Sequence, residues 1–452
     1  MSTMIDIPVD ALLGDWRERL SPAAVLDACR EQLTRVDVEK RRRWRACEMI
    51  EALYHPGRYI RIGYVLLDDP HTPAERRWPE GQVIYLHAPL REPMSRRGEQ
   101  ITLGSDAVEA YGFPNDRRLR GLRHFAARQA AVECWQRWLR QSGDAWTITP
   151  DSLQRLLVRY VPEQKWIVRL RAAGCDREGA PSKRRLAIRA ASPASCARLA
   201  ERHTALARCA SESDGLFVVP RMVGLDHEQG LLGVEWIRGD SLERTLREHS
   251  EQETLSRVAG ILRSLHAARI EGLEACTADA LSLDVGHAVE DLSVARPALA
   301  GRLSKLGREL VSRIYALPRV EPATIHNDFH WNQLHIKRDR FVLLDLERVA
   351  LGDPWLDVAN FVTQLRMLGV RGDSAVDAET ANRWADTFLA CWTGASNAPV
   401  DDERMNVYAA LSRLNLARGM MRHLRPGWAE LAEHCVAGAQ ADLSATPREA
   451  LK

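Results

Sequence analysis

Two carboxylates on either side of a short polar loop are the residues of this chain best suited to chemistry. They lie in residues 324–365, TIHNDFHWNQLHIKRDRFVLLDLERVALGDPWLDVANFVTQL. Asp328 follows the short β-branched run Thr324-Ile325, and Asp345 ends the strand-like run Phe341-Val342-Leu343-Leu344. Asn332 and Gln333 lie between them. Two acidic groups at strand ends, with an amide between, suit the holding of a divalent cation and the orienting of a hydroxyl. Phosphoryl transfer needs that pairing, because its catalysis is mostly positioning and charge neutralisation. Either Asp alone could be a turn or cap residue; the order and spacing of the set carry the reading.

The segment resembles the catalytic loop and metal-binding segment of the aminoglycoside phosphotransferase and choline kinase superfamily, the small-molecule branch of the protein-kinase-like fold. His326, Asp328, His330, Gln333, Asp345, Gly352, Asp353, Pro354 and Asp357 fall in order on the family pattern. Gln333 stands where the commonest form has Asn, and the maltokinase-like branch is similar to this sequence in carrying Gln there. The resemblance implies ATP and Mg²⁺ as cofactors, with a hydroxyl of a small molecule (a sugar, sugar derivative or aminoglycoside-like compound) as acceptor. It implies that Asp328 takes the hydroxyl proton or orients the nucleophile, and that Asp345 and Gln333 hold Mg²⁺. His326 would support the loop, and His330 would either pack the loop or contact phosphate. The alternative is a catalytically inactive kinase fold that acts as a binding or scaffold protein.

The elements that must position these groups follow from the pattern of apolar residues. Residues 9–53 are expected to be largely helical, with a start at Ser21-Pro22 and apolar residues at three- and four-residue spacing from Val25 to Val36. Residues 59–67 and 82–86 read as strands, 100–103 as a further strand and 119–140 as a helix. Tyr54-His55-Pro56-Gly57-Arg58 before a strand is echoed by Tyr160-Val161-Pro162-Glu163-Gln164-Lys165 before Trp166. Proline restricts its own φ and the residue before it, so each copy fixes an extended entry into a strand. The echo is either a duplicated hairpin unit, its first copy turned accessory domain, or a chance recurrence.

Residues 166–171 and 185–190 are expected to pair around a polar connection at 174–183, with a helix over 192–207 capped by Ser192 or Ser195. The resemblance makes this the small lobe. It places Arg189 where the family has its phosphate-holding Lys, with Glu201 as its helix partner and Lys183 as a poorer substitute. Leu231 to Gly239 resembles the interlobe hinge, where the backbone of Glu235, Trp236 and Ile237 would meet an adenine edge. No GxGxxG occurs in the lobe. Leu255, Val258, Ile261, Leu262 and Leu265 make a helix stripe for the core, His266 is read as a packed or capping histidine, and residues from 365 to about 443 read as helical. Trp384, Trp392, Met405, Tyr408, Leu411, Leu414, Met420 and Met421 are either core or pocket lining.

The fold expected is therefore α+β. It is a bilobal protein-kinase-like fold with a small antiparallel-sheet N-lobe (149–237), a mostly helical C-lobe with the catalytic loop (238–452) and an N-terminal accessory α/β unit (1–148). Composition is compatible with it: 452 residues, 45% hydrophobic, bury large cores. A net charge of +2 on 63 basic and 61 acidic side chains gives no field for nucleic acid. The nine cysteines are scattered without a CxxC pair, which suits reduced thiols rather than a disulfide framework or zinc site. The first residues lack the basic start and apolar core of a signal peptide, and no apolar run approaches a membrane span, so no membrane partner and a cytoplasmic location are expected.

Overall fold

Alternating or continuous apolar runs pair as antiparallel strands through the first half of the chain, and amphipathic helices fill most of the second. The computed structural model describes residues 7–10, 13–73, 76–89, 96–213, 215–371, 374–394 and 400–445. The first six residues, read above for a leader pattern, lie outside these. The chain forms two compact units, one of Met1–Ala200, Arg221–Trp236 and Arg422–Pro426, the other of Glu201–Pro220, Ile237–Met421 and Gly427–Lys452. The architecture is α+β with largely antiparallel sheets, as the sequence led us to expect.

The first unit begins with α1 (Pro22–Gln32), capped by Ser21, then α2 (Val38–Arg43), β1 (Ala46–His55), β2 (Tyr59–Leu67), α3 (Arg77–Glu80), β3 (Gln82–Ala88), β4 (Glu99–Leu103) and β5 (Asp106–Gly112). It continues through α4 (Arg128–Gln141), β6 (Thr147–Ile148), β7 (Gln154–Val161), β8 (Lys165–Cys175), β9 (Pro181–Ala190) and α5 (Pro193–Glu212), within which the division between units falls. After β10 (Phe217–Val218), part of the second unit, the hairpin β11 (Met222–Asp226) and β12 (Leu231–Glu235) completes it. Residues 46–53 are strand rather than the expected helix. Ala, Glu, Met and Leu there favour helix, but pairing along β2 across a tight turn overrides that preference. The connection expected at 174–183 is shorter, because β8 runs to Cys175 and β9 starts at Pro181. The cut expected at residue 148 falls inside this unit, where β6 pairs with the end of β8.

One plan occurs twice here. The first sheet runs β1-β2-β3-β5-β4; in the second, β7 pairs β8, which continues through β9 and β12 to β11. Each begins with a helix and a hairpin whose turn is closed the same way, by Arg58 N–H to His55 O (3.0 Å) and by Gln164 N–H to Val161 O (3.1 Å). The second turn residue is left-handed in both, Gly57 at φ 68° and Glu163 at φ 63°. In the first turn the Tyr54 hydroxyl and Gly57 N–H both donate to Asp10 Oδ2, at 2.7 and 2.6 Å. In the second the Tyr160 hydroxyl and Glu163 N–H both donate to Asp116 Oδ2, at 2.9 and 3.2 Å. The Asp precedes its Tyr by 44 residues and its turn residue by 47 in both cases. Of the two readings of the echoed Tyr-x-Pro, the geometry favours a repeated unit far larger than a hairpin.

The second unit carries the sheet β10-β16-β15-β13 and the ladder β14-β17 among helices. In chain order these are β13 (Asp240–Ser241), α6 (Leu242–Glu248), α7 (Glu251–Ala267), α8 (Ala278–Ala295), α9 (Ala300–Ala316), β14 (Ala323–Ile325), β15 (Leu334–Lys337), β16 (Arg340–Leu343), β17 (Ala350–Gly352), α10 (Trp355–Leu368), α11 (Ala378–Gly394), α12 (Asp402–Arg422) and α13 (Trp428–Ser444). Side-chain oxygens of Ser241, Ser250 and Thr277 cap α6, α7 and α8. Helix α10 is buried on nearly every side, from Leu356 and Val358 to Phe361 and Leu365, as a central helix should be. Trp384, Trp392, Met405, Leu411, Leu414 and Met421 are buried, which makes them core. No described helix is long and apolar enough to cross a membrane.

Candidate active site

The loop that carries Asp328 is fixed from beneath by one face of α10. Asp357, fully buried, accepts the backbone N–H of His326 at 2.7 Å and of Asn327 at 2.8 Å, and its Oδ2 lies 3.3 Å from His266 Nε2. One helical turn on, the Asn360 amide donates to Phe329 O at 2.9 Å and is itself held by the Ser412 hydroxyl at 2.7 Å. These contacts let the loop hold Asn327 in the left-handed region at φ 60°, a conformation that costs energy in a loose loop. His266, read as a packed or capping residue, is thus part of the clamp. The clamp of Asn360 and Ser412 was not foreseen. Asn360 lies three residues after the motif's last Asp, which is the one signal that could have found it.

Asp345 is placed by the β15-β16 hairpin. Leu334 pairs with Leu343, and Leu344 N–H donates to Gln333 O at 2.9 Å, so Gln333 and Asp345 stand at one end of the hairpin. Asp345 is left-handed at φ 52°, where Asp is among the few residues tolerated. His326 joins the two halves of the site. Its Nε2 lies 2.9 Å from Leu344 O, and since a carbonyl only accepts, Nε2 carries the proton.

Asp328 keeps 38% of its side chain exposed, so a solute can reach it. The protein packed around the rest of it nonetheless raises its pKa to about 6; Asp345 and Asp357 add to the rise, and Arg348 and His326 oppose it. His330 caps the short 3-10 helix Trp331–Gln333, its Nδ1 accepting Asn332 N–H at 3.3 Å. Its Nε2 is 3.1 Å from the Gln333 carboxamide nitrogen and 4.0 Å from Asp328 Oδ1. Burial lowers its pKa to about 4, His326 and Arg371 acting the same way and Asp345 opposing, so the ring is neutral at neutral pH. Asp353 accepts Trp355 N–H (3.0 Å) and the Tyr408 hydroxyl (3.0 Å) and pairs with buried Arg404 (3.2 Å). This ties the start of α10 to α12 and gives Tyr408 a structural partner.

Asp328, His330, Gln333 and Asp345 are therefore gathered around one hairpin of the second unit. Arg348, half-exposed and 3.9 Å from Asp284, belongs to the same surroundings and was not singled out from the sequence. The remaining candidates belong to other elements. Arg189 is half-buried on β9, on the sheet face opposite Leu186, Ile188 and Ala190, near enough to Cys196 for its charge to act on that thiol. Glu201 is exposed on α5 in the second unit, and Lys183 is exposed on β9. The division between units falls between Trp236 and Ile237. Glu235 N–H already donates to Arg221 O at 2.8 Å and Trp236 N–H to Arg185 O at 3.2 Å, so neither N–H is open to an adenine edge.

Residues 147–396, more than half of the chain, match the model of the phosphotransferase enzyme family, APH. No curated protein sequence matches. Among solved structures, a ternary complex of a thermostable mutant of aminoglycoside phosphotransferase APH(4)-Ia with ADP and hygromycin B is similar at 15% identity, covering 69% of this chain and 99% of that one, with a TM-score of 0.47. The GDP and kanamycin complex of APH(2")-IIia gives 14% identity, 69% and 99% coverage and 0.45. A choline/ethanolamine kinase family protein from Mesorhizobium loti gives 15% identity, 61% and 85% coverage and 0.42.

Proposed function

The chain belongs to the phosphotransferase enzyme family, and from that premise we propose that it is an ATP- and Mg²⁺-dependent kinase of a small-molecule hydroxyl, with a sugar, sugar derivative or aminoglycoside-like compound as the favoured class. The observation that carries this reading is Asp328: solvent-reachable, clamped through its loop by Asp357 and Asn360, and raised to about 6, close to where a general base works best at neutral pH. In this reading Asp328 accepts the hydroxyl proton or orients the nucleophile. Arg189 holds phosphate oxygens. The chain from Glu235 to Ile237 meets the adenine.

Asp345 and Gln333 would hold Mg²⁺. One carboxylate and one carboxamide, with no cluster of three His, Cys, Asp or Glu side chains among the described residues, suit an ion that keeps several waters and takes its other ligands from phosphates. When bound, the ion would neutralise charge developing on the transferred phosphoryl group.

ADP release in the presence of sugars, aminoglycosides and amino alcohols tests the proposal. Asp328→Asn should lower turnover by ~10²-fold or more while ATP still binds. In the native chain kcat/KM should rise about tenfold per pH unit up to about 6 and then level, because the free enzyme's base must lose its proton. ATP binding without acceptor-dependent ADP release would favour the scaffold reading. A variant that loses nucleotide affinity but keeps turnover at saturation would show the role of Asp328 to be misassigned.

A further inference from the structure

Resting on the metal-ligand role proposed for Gln333, we propose that His330 is a positioning residue: its Nε2–H holds the Gln333 carboxamide oxygen, and the two side chains together do the work of the shorter Asn. The other ring nitrogen sets the tautomer. Nδ1 faces Asn332 N–H at 3.3 Å, a backbone donor fixed by the short helix that His330 caps. A proton on Nδ1 would set two donors against each other, so the neutral ring carries its proton on Nε2.

Nε2–H in turn faces the end of the Gln333 carboxamide, 3.1 Å away. A nitrogen there would again oppose donor to donor. The carboxamide nitrogen and oxygen exchange by a half-turn with no other movement, so the bonded form presents oxygen to the ring. That oxygen keeps its second lone pair for a cation beside Asp345, whose strand end is tied to Gln333 through Leu344 N–H at 2.9 Å. Gln333 is 9% exposed, and the ring restrains the extra torsion that Gln has over Asn. Outer partners of this kind orient ligands and tune their basicity, and their loss typically weakens metal binding about 10- to 100-fold.

Two measurements on the full chain test this. Long-range ¹H–¹⁵N spectra of the metal-free protein should show the His330 ring as the Nε2–H tautomer; the Nδ1–H tautomer or a doubly protonated ring would overturn the inference. Mn²⁺ affinity in the presence of ADP, read by electron paramagnetic resonance, should fall about 10- to 100-fold in His330→Ala. In a Gln333→Asn background the same change should cost much less, because the shorter side chain no longer reaches the ring and only the cap on Asn332 N–H is lost. Unchanged affinity in His330→Ala with clear loss in Asp345→Asn would overturn the positioning role and leave the metal role standing. Unchanged affinity in both Asp345→Asn and Gln333→Ala would remove the metal role, and the positioning role with it.

Discussion

The two repeats of the first unit share a frame and differ in what covers one face of each sheet. In both, a helix precedes the hairpin and packs toward the hairpin β4-β5 or its counterpart β11-β12. Gln32 of α1 exchanges two hydrogen bonds with the Thr102 backbone, and Trp138 of α4 occupies the space a side chain at Gly224 or Gly233 would need. The opposite face of the first sheet, with Arg61, Val65, Tyr85, His87 and Tyr111, is filled by the second repeat: Tyr160 lies over Gly63, and Tyr160 and Trp166 share its core. On that face of the second sheet lies Arg189, near the start of α5, a helix for which the described residues of the first repeat have no counterpart.

Register makes the contrast sharper. Arg61 pairs with His87 in the first sheet as Ile167 pairs with Arg189 in the second, so His87 is the counterpart of Arg189. Its partner is not a phosphate. His87 Nδ1 lies 3.5 Å from Glu163 Oε1 and Arg61 lies 3.1 Å from Glu163 Oε2; with burial opposing them, these contacts hold the carboxylate below its ordinary range. The position that the proposed function gives to nucleotide in one repeat is a docking contact in the other. Frame residues recur because both hairpins need them, whereas residues on the covered face diverge with what they meet.

The largest effect that would sharpen this contrast is kinetic. Arg189→Met should lower kcat/KM for ATP by about 10²-fold without unfolding the protein, as loss of a charge-stabilising donor does. Arg189→Lys should be milder, though an ammonium does not reproduce the guanidinium fork. His87→Met at the matching position should leave the ATP kinetics unchanged. Equal kinetic effects at the two positions, or none at Arg189, would erase the distinction.

These contrasts were unevenly legible beforehand. The spacing of Asp328, Gln333 and Asp345 is readable because one loop and one hairpin place all three, so geometry is local in sequence. Asp357 appears in the same motif, but its role comes only when α10 folds beneath the loop, and Ser412 and His266 reach the clamp from distant helices. The Tyr-x-Pro echo was visible; the buried Asp residues 44 positions upstream were not, since nothing local marks a carboxylate as the partner of a distant hydroxyl. Strand β1 was misread because its residues individually prefer helix and only its neighbour decides.

A stability effect of middle size tests the shared frame. Asp116 is buried and accepts Arg118 N–H, Leu119 N–H, the Tyr160 hydroxyl and Glu163 N–H; Asp10 is buried and accepts Leu13 N–H, the Tyr54 hydroxyl and Gly57 N–H. Removing either carboxylate strands several buried donors. Asp116→Ala and Asp10→Ala should each cost about 3 kcal/mol in urea denaturation, since each unsatisfied group costs ~1–3 kcal/mol. A large loss in one and none in the other would mean that the two hairpins only look alike.

The smallest effect separates backbone from side chain at the left-handed turn residue. Gly57 adopts φ 68° with no Cβ to crowd the following carbonyl, and its N–H still donates to Asp10 whatever side chain it carries. Gly57→Ala therefore adds only the left-handed penalty, and stability should fall by about 1–2 kcal/mol in urea denaturation. Glu163 already bears that penalty at φ 63°, offset by its contacts with Arg61, His87 and the Tyr85 hydroxyl. Glu163→Ala keeps the strain and removes the carboxylate, leaving buried Arg61 without its ion-pair partner, so it should cost more than Gly57→Ala, about 3 kcal/mol or above. If Glu163→Ala costs nothing, the Glu163 carboxylate contributes nothing net, and the second repeat tolerates a strained glutamate without a docking role to explain it.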